Sequence, residues 1–158
     1  MESRDLEKLE KEMDEILDEK NIKESLSVPS MVVVIEQEYI KRLKETGFNL
    51  TTRDLKQFMH KMLLVKDVYD KKETLGRTQS EKWKSLKDQI LAIEKFRLSK
   101  GSDSERNRVV LATSKVYEKA DKVYNHYNFM FRKFEKKSKS AENKHFNCKT
   151  LIKDTSNG

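Results

Sequence analysis

At 158 residues the chain is long enough for one domain with a real core, a size at which roughly 70% of the unfolded surface is buried on folding. Charged residues make up 39% and hydrophobic ones 35%, with four Gly and one Pro, a balance that favours long exposed helices over a turn-rich sheet fold. The single cysteine, Cys148, excludes an internal disulfide, and no apolar run follows a basic start. The expectation is a reducing interior, nucleus or cytoplasm, and no membrane span.

The net charge of +7 is unevenly placed. Residues 1–28 carry ten acidic and five basic side chains, whereas 132–149 carry seven basic and two acidic. A basic tail of this kind binds phosphate backbones or acidic protein surfaces, or simply keeps a protein soluble.

In residues 3–24, Leu6, Leu9, Met13 and Ile16 fall at three- and four-residue steps and form one helical stripe. About two heptads make a seam too short to stand alone, so these four are candidate partner-binding residues. Residues 21–29 then read as a break ahead of Pro29. Ser30 is the expected N-cap of a second helix with Val32, Ile35, Tyr39 and Leu43 on one stripe and a stop at Gly47. The run Val32-Val33-Val34-Ile35 would suit a strand in isolation, but the helical period continues beyond it.

Thr51 caps a third helix whose stripe is Leu55, Phe58, Met59, Met62, Leu63 and Tyr69, ending before Gly76. Thr78 with Glu81 makes a capping-box pattern that opens a fourth, with Trp83, Leu86, Ile90, Ile93 and Phe96 on its buried side. Gly101 closes it, and Ser102 with Glu105 opens the longest helix. There Val109, Ala112, Val116, Ala120, Val123, Tyr127, Met130 and Phe134 keep three- and four-residue steps to about Lys137. Tyr124 and Phe131 lie beside that stripe and widen it, so Tyr124, Tyr127, Phe131 and Phe134 are the second group of candidate partner-binding residues. Beyond Lys137 the Lys-, Ser- and Asn-rich sequence reads as disordered.

The fold class expected is all-α, an elongated helical bundle or coiled coil with one long C-terminal helix and a disordered basic tail. Its divisions are an acidic helix and linker over 1–28, a helical domain over 29–137 and the tail over 138–158.

No catalytic or cofactor-binding residue stands out, because phosphate loops, nucleophile elbows and His-Glu-x-x-His helices are all missing from the sequence. His60 and His126 sit on helices as surface or boundary residues. His145 and Cys148 have the spacing of two zinc ligands, but a structural zinc needs four, so no metal or other cofactor is expected. Lys136, Lys137, Lys139 and Lys144 are the candidate nucleic-acid contacts of the tail.

From residue 38 to 137 the chain resembles the N-terminal helical domain of the inhibitor-of-growth family of chromatin-complex subunits. Glu38-Tyr39-Ile40 with Leu43, then Leu55, Phe58 and Met62, are similar to its early helices. Leu111-Ala112, Tyr117-Glu118 and Asp121-Lys122 are similar to the signature of its long last helix, with Phe134-Glu135 following. The chain departs from the family in having four residues between Ala112 and Tyr117 where three are usual, in lacking a proline near Gly47, and in having no zinc finger. The resemblance implies a coiled-coil scaffold, homodimeric or bound to other subunits, in a nuclear histone acetyltransferase or deacetylase complex. The competing expectations are a cytoskeletal or kinetochore-type coiled-coil adaptor and a nucleic-acid binder acting through the basic tail.

Overall fold

The structure is a computed structural model that describes residues 3–46 and 49–157, with side chains described from Asp5 to Asp154 within those limits. The described residues form six helices: α1 (Ser3–Ile16), α2 (Glu19–Leu26), α3 (Ser30–Thr46), α4 (Thr52–Arg97), α5 (Asp103–Thr113) and α6 (Lys115–Asn157). No strand occurs among the described residues, so the all-α expectation holds. The stop expected at Gly47 lies outside the described residues.

The helix boundaries differ from the sequence expectation at four places, each for a physical reason. The helix read over 3–24 is two helices, because the Asn21 side-chain amide donates to the Glu15 carbonyl at 2.7 Å and the Asp18 carbonyl accepts from the Ile22 N–H. Those bonds satisfy groups that a helix end leaves unpaired. The third and fourth helices are one, α4, and Gly76 lies inside it. A Cβ at Gly76 would stand 2.7 Å from the Phe131 backbone nitrogen, so the glycine there permits close packing of α4 on α6. The expected capping box at Thr78 and Glu81 therefore falls in mid-helix.

The longest expected helix is interrupted at Ser114. Its N–H closes α5 on the Val110 carbonyl at 2.9 Å, while its hydroxyl accepts from the Tyr117 N–H at 3.2 Å to open α6. The interruption also changes which side faces inward: Val110 is buried, whereas Val109 and Ala112 of the expected stripe are exposed. Ser30, expected as an N-cap, is the first residue inside α3, while the caps at Thr51 and Ser102 follow expectation. The Thr51 hydroxyl accepts from the Asp54 N–H, and Ser102 with Glu105 forms the reciprocal capping box after Gly101, whose φ of 105° suits glycine.

The fourth difference is at the C-terminus. The tail expected to be disordered over 138–158 is helical, because α6 continues to Asn157. Ser138, Ala141 and Cys148 are buried on it, and with His145 they continue the three- and four-residue steps that lead from Phe134. Small, hydroxylated and sulfur-bearing side chains carry this stripe, so apolar counting stops about four turns too early.

The chain forms two compact units, Met1–Leu26 with Leu75–Phe131, and Ser27–Thr74 with Arg132–Gly158. In the first, Leu6 and Met13 of α1 join Trp83 and Ile90 of α4 and Ala120 and Val123 of α6 in one apolar cluster. The acidity of α1 is answered locally: Glu12 meets Lys82 at 3.4 Å and Asp14 meets Lys119 at 2.9 Å. The Trp83 indole nitrogen is buried with no hydrogen-bond partner. Phe96, expected on the buried side of α4, is 88% exposed, one turn beyond the last packed residue, Ile93.

In the second unit α3 and α4 run antiparallel, as residue pairs climbing one helix and descending the other show. Arg42 pairs with Asp54 at 3.3 Å, Glu38 with Lys61 at 3.5 Å, and the Tyr69 hydroxyl donates to Glu36 at 2.7 Å. Tyr39 and Phe58 meet edge to face, and Tyr69 stacks on Phe134 with ring centroids 5.9 Å apart. α6 completes this core. The Ser138 hydroxyl donates to Asp70, and His145 donates from Nδ1 to the Met59 carbonyl at 3.0 Å.

Candidate interaction site

The two groups of expected partner-binding residues are packed inside the chain. Leu6 and Met13 are buried in the apolar cluster of the first unit, and Leu9 and Ile16 pack against it. Tyr124 and Tyr127 lie against the same cluster. Phe131 backs onto Gly76 and carries the Arg77 guanidinium 5.1 Å from its ring centroid, and Phe134 is fully buried in the second unit. The apolar width that suggested a second face on the last helix is covered by α1 and α4.

Burial shapes the chemistry of the hydroxyls and the thiol in these cores. Tyr39 is pushed up to about 12, first by desolvation and then by the adjacent Cys148. Burial raises Tyr69, reinforced by its hydrogen bond to Glu36, and it raises Tyr127, with Glu12 adding to the effect. The Cys148 thiol is also pushed up by burial, which keeps it protonated and unreactive. Burial alone would raise the Asp70 carboxyl, but hydrogen bonds from Lys66 and Ser138 outweigh it and hold the carboxyl below its usual value.

His126 and His145 act as structural side chains, and His60 is exposed. The Ser25 hydroxyl donates to the Ile22 carbonyl at 2.8 Å, so the 3.0 Å contact to His126 is a donation from the ring Nε2. Burial lowers the pKa of that ring, which favours its neutral form. His145 faces Met59, and Cys148 packs against Tyr39. Among the described residues no group of three or more His, Cys, Asp or Glu side chains is placed to hold a metal, and no helix is long and apolar enough to cross a membrane.

The basic residues of α6 divide into two kinds. Lys137 and Lys144 are half-buried, with their ammonium groups 5.5 Å from the Tyr69 ring and 5.8 Å from the Tyr39 ring. Those two cations are engaged with the unit's own aromatics. Lys136 and Lys139 are exposed, and Lys139 makes only a long surface pair with Glu135 at 3.7 Å.

Exposed apolar side chains are scattered over α4, α5 and α6, and on α3 they are consecutive. Its first turn and a half, Met31-Val32-Val33-Val34-Ile35, is apolar all round, and only Val32 and Ile35, followed by Tyr39, are buried. Val33 is 42% exposed, Val34 50% and Ile40 46%, with Val33 and Ile40 two turns apart on one side. On α4 of the same unit, Leu63 and Leu64 are exposed as well. Expectation from the inward stripe alone missed this face. The signal was the five-residue apolar run, which spans more than a full helical turn and cannot be covered from one side.

The residues of the inhibitor-of-growth resemblance lie on two helices. Leu111-Ala112 are on α5, while Tyr117-Glu118 and Asp121-Lys122 are on α6, with the Ser114 cap between them. No family model matches the chain, and no curated protein and no solved structure is significantly similar to it.

Proposed function

We propose that this chain is a non-catalytic interaction subunit that docks another protein on the outer face of α3. The observation that carries it is the half-exposed set Val33, Val34 and Ile40 on a helix whose opposite side is already in the core. The stretch Met31–Ile35 is apolar on every side, and the chain's own core covers one side of it, which leaves the other for a second layer. The complementary partner is an amphipathic helix whose aliphatic side chains fill the space around Val33 and Ile40. The half-buried His126 and His145 and the protonated thiol fit a supporting role rather than a reacting one. The inhibitor-of-growth resemblance adds a partner class, the subunits of a nuclear histone acetyltransferase or deacetylase complex; a cytoskeletal or kinetochore-type assembly is the competing one.

The test is a pair of substitutions, Val33→Lys with Ile40→Lys, on the full chain. Both sites are exposed, so stability should change by no more than about 0.5 kcal/mol per site. Light scattering and affinity purification with identification of bound proteins should show an assembly or a recurring partner for the wild type, lost in the double variant. Partners retained unchanged by the double variant would refute the assignment to this face, and their identities separate the chromatin from the cytoskeletal assembly.

A further inference from the structure

The excess positive charge of the protein belongs to one unit. The unit formed by Met1–Leu26 and Leu75–Phe131 holds seventeen basic and seventeen acidic side chains, whereas Ser27–Thr74 with Arg132–Gly158 holds seventeen basic and ten acidic. Within that second unit, the α6 segment 132–154 alone has eight basic and three acidic side chains.

Because α6 remains helical to Asn157, these residues have a fixed arrangement. Arg132, Lys136, Lys139, Asn143, Asn147 and Thr150 follow one another at three- and four-residue steps, and all six are exposed. They therefore form a single outward stripe. Every member can donate a hydrogen bond and none carries a negative charge. Of the three acidic side chains, Glu135 and Glu142 fall outside the stripe, and the exposed Asp154 lies one turn beyond its end at Thr150. Glu135 is within 3.7 Å of Lys139, and Glu142 lies near enough to Lys66 of α4 to raise its pKa. Among the described residues Arg132 and Lys136 make no ion pair.

From these observations we infer that the outer stripe of α6 is a binding site for the phosphate backbone of a double-stranded nucleic acid. Arg, Lys, Asn and Thr are side chains that contact phosphates, and a single helix fits along a duplex groove. At 1.5 Å per residue the stripe from Arg132 to Thr150 is about 27 Å long, a little less than one duplex turn. Two exposed aromatics of α6 flank it, Phe146 at 51% exposure and Phe129 at 56%, the latter three residues before Arg132. Two rings so far apart along the helix make no stacking platform for single strands, and no aliphatic ridge accompanies the stripe as membrane insertion requires. The site is separate from the α3 face, so its test does not depend on the protein partner.

The experiment is fluorescence anisotropy of the full chain with labelled 25-base-pair DNA and RNA duplexes across a NaCl series. Three cations give an expected salt slope of about −2.7, a loss of affinity of roughly 40-fold between 50 and 200 mM salt. Lys136→Glu with Lys139→Glu should weaken binding at least tenfold at 50 mM salt and flatten the slope, with an unchanged helical spectrum. The control, Lys11→Glu with Lys20→Glu, makes the same change of net charge on exposed residues of the other unit and should leave binding within twofold. Equal loss in the control would reduce the effect to net charge and overturn the site, as would no duplex binding at 50 mM salt. Tighter binding to a single strand of equal length, or to phosphatidylserine vesicles, would overturn the duplex assignment. The ratio of DNA to RNA affinity identifies which duplex the site prefers.

Discussion

Gly76 offers a sharp test of the packing of α4 on α6, because two explanations of that glycine give opposite rankings of substitutions. An added Cβ would lie 2.7 Å from the Phe131 nitrogen and 3.0 Å from its Cα, where ordinary contacts begin at 3.4 Å. Both atoms are backbone, so relief requires α6 to withdraw, and the neighbouring Met130, which is fully buried, would move with it. Overpacking of this kind costs about 1 to 3 kcal/mol, while replacing a mid-helix glycine by alanine returns about 1 kcal/mol of helix propensity. With both contacts on backbone atoms the cost falls in the upper part of that range, about 2 to 3 kcal/mol, so the net for Gly76→Ala is a loss of about 1 to 2 kcal/mol, or roughly 2–8 °C in Tm for a chain of this size. Gly76→Asn should be worse, since its side chain is larger. A glycine that ended a helix in the left-handed conformation would behave in the reverse order, because asparagine tolerates that conformation better than alanine. Thermal melts followed at 222 nm give the ranking. An alanine variant that melts at or above the wild type, or an asparagine variant milder than alanine, would refute the close crossing.

Three further outcomes follow from the second unit. Cys148, 1% exposed and with its thiol held protonated by burial, should react with a thiol reagent far more slowly than a free cysteine and speed up on addition of urea; fast labelling in the native protein would mean that the end of α6 is not packed. Truncation after Lys137 should lower Tm by several degrees and remove a cooperative unit, because it strips Ser138, Ala141 and Cys148 from the core; an unchanged melt would show that the segment carries none of the fold. Because the folded-state pKa values of Tyr39, Tyr69 and Tyr127 are raised, the stability tied to their protonation is complete below about pH 10 and falls as pH rises above it. Urea midpoints should therefore drop above pH 10, and less so in Tyr39→Phe, whose residue titrates near 12; an identical alkaline profile in that variant would contradict the assignment.

Much of the fold was legible because helical period is a strong signal wherever the packed side chains are aliphatic or aromatic. Leu55, Phe58, Met62 and Tyr69 on α4, and Val32, Ile35 and Tyr39 on α3, are buried as their spacing requires. Capping was legible where side chain and helix end are adjacent in sequence, as at Thr51 and Ser102. Gly76 and Ser114 were not, because one residue type serves opposite purposes. Glycine marks a stop or permits a crossing, and serine sits in a helix or breaks it. In both cases the choice is made by a residue distant in sequence or by a cap that single-position propensity does not reveal.

The candidate sites were less legible for a related reason: a stripe identifies which side chains share a face but not what covers that face. The aromatic residues Tyr124, Tyr127 and Phe134 looked available for a partner because the sequence does not show that α1 and α4 lie over them. Lys137 and Lys144 looked equivalent to Lys136 and Lys139 in a disordered tail, where every lysine is free. Once α6 continues as a helix the four separate, two over tyrosine rings and two outward. The same small, polar residues that hid the inward stripe, Ser138, Ala141, His145 and Cys148, are what fixes the outward one. Order at residue 148 is therefore a condition for an organised row of donors from Arg132 to Thr150, and thiol protection of Cys148 should be lost together with preferential duplex binding when that segment is unfolded by substitution at Ala141.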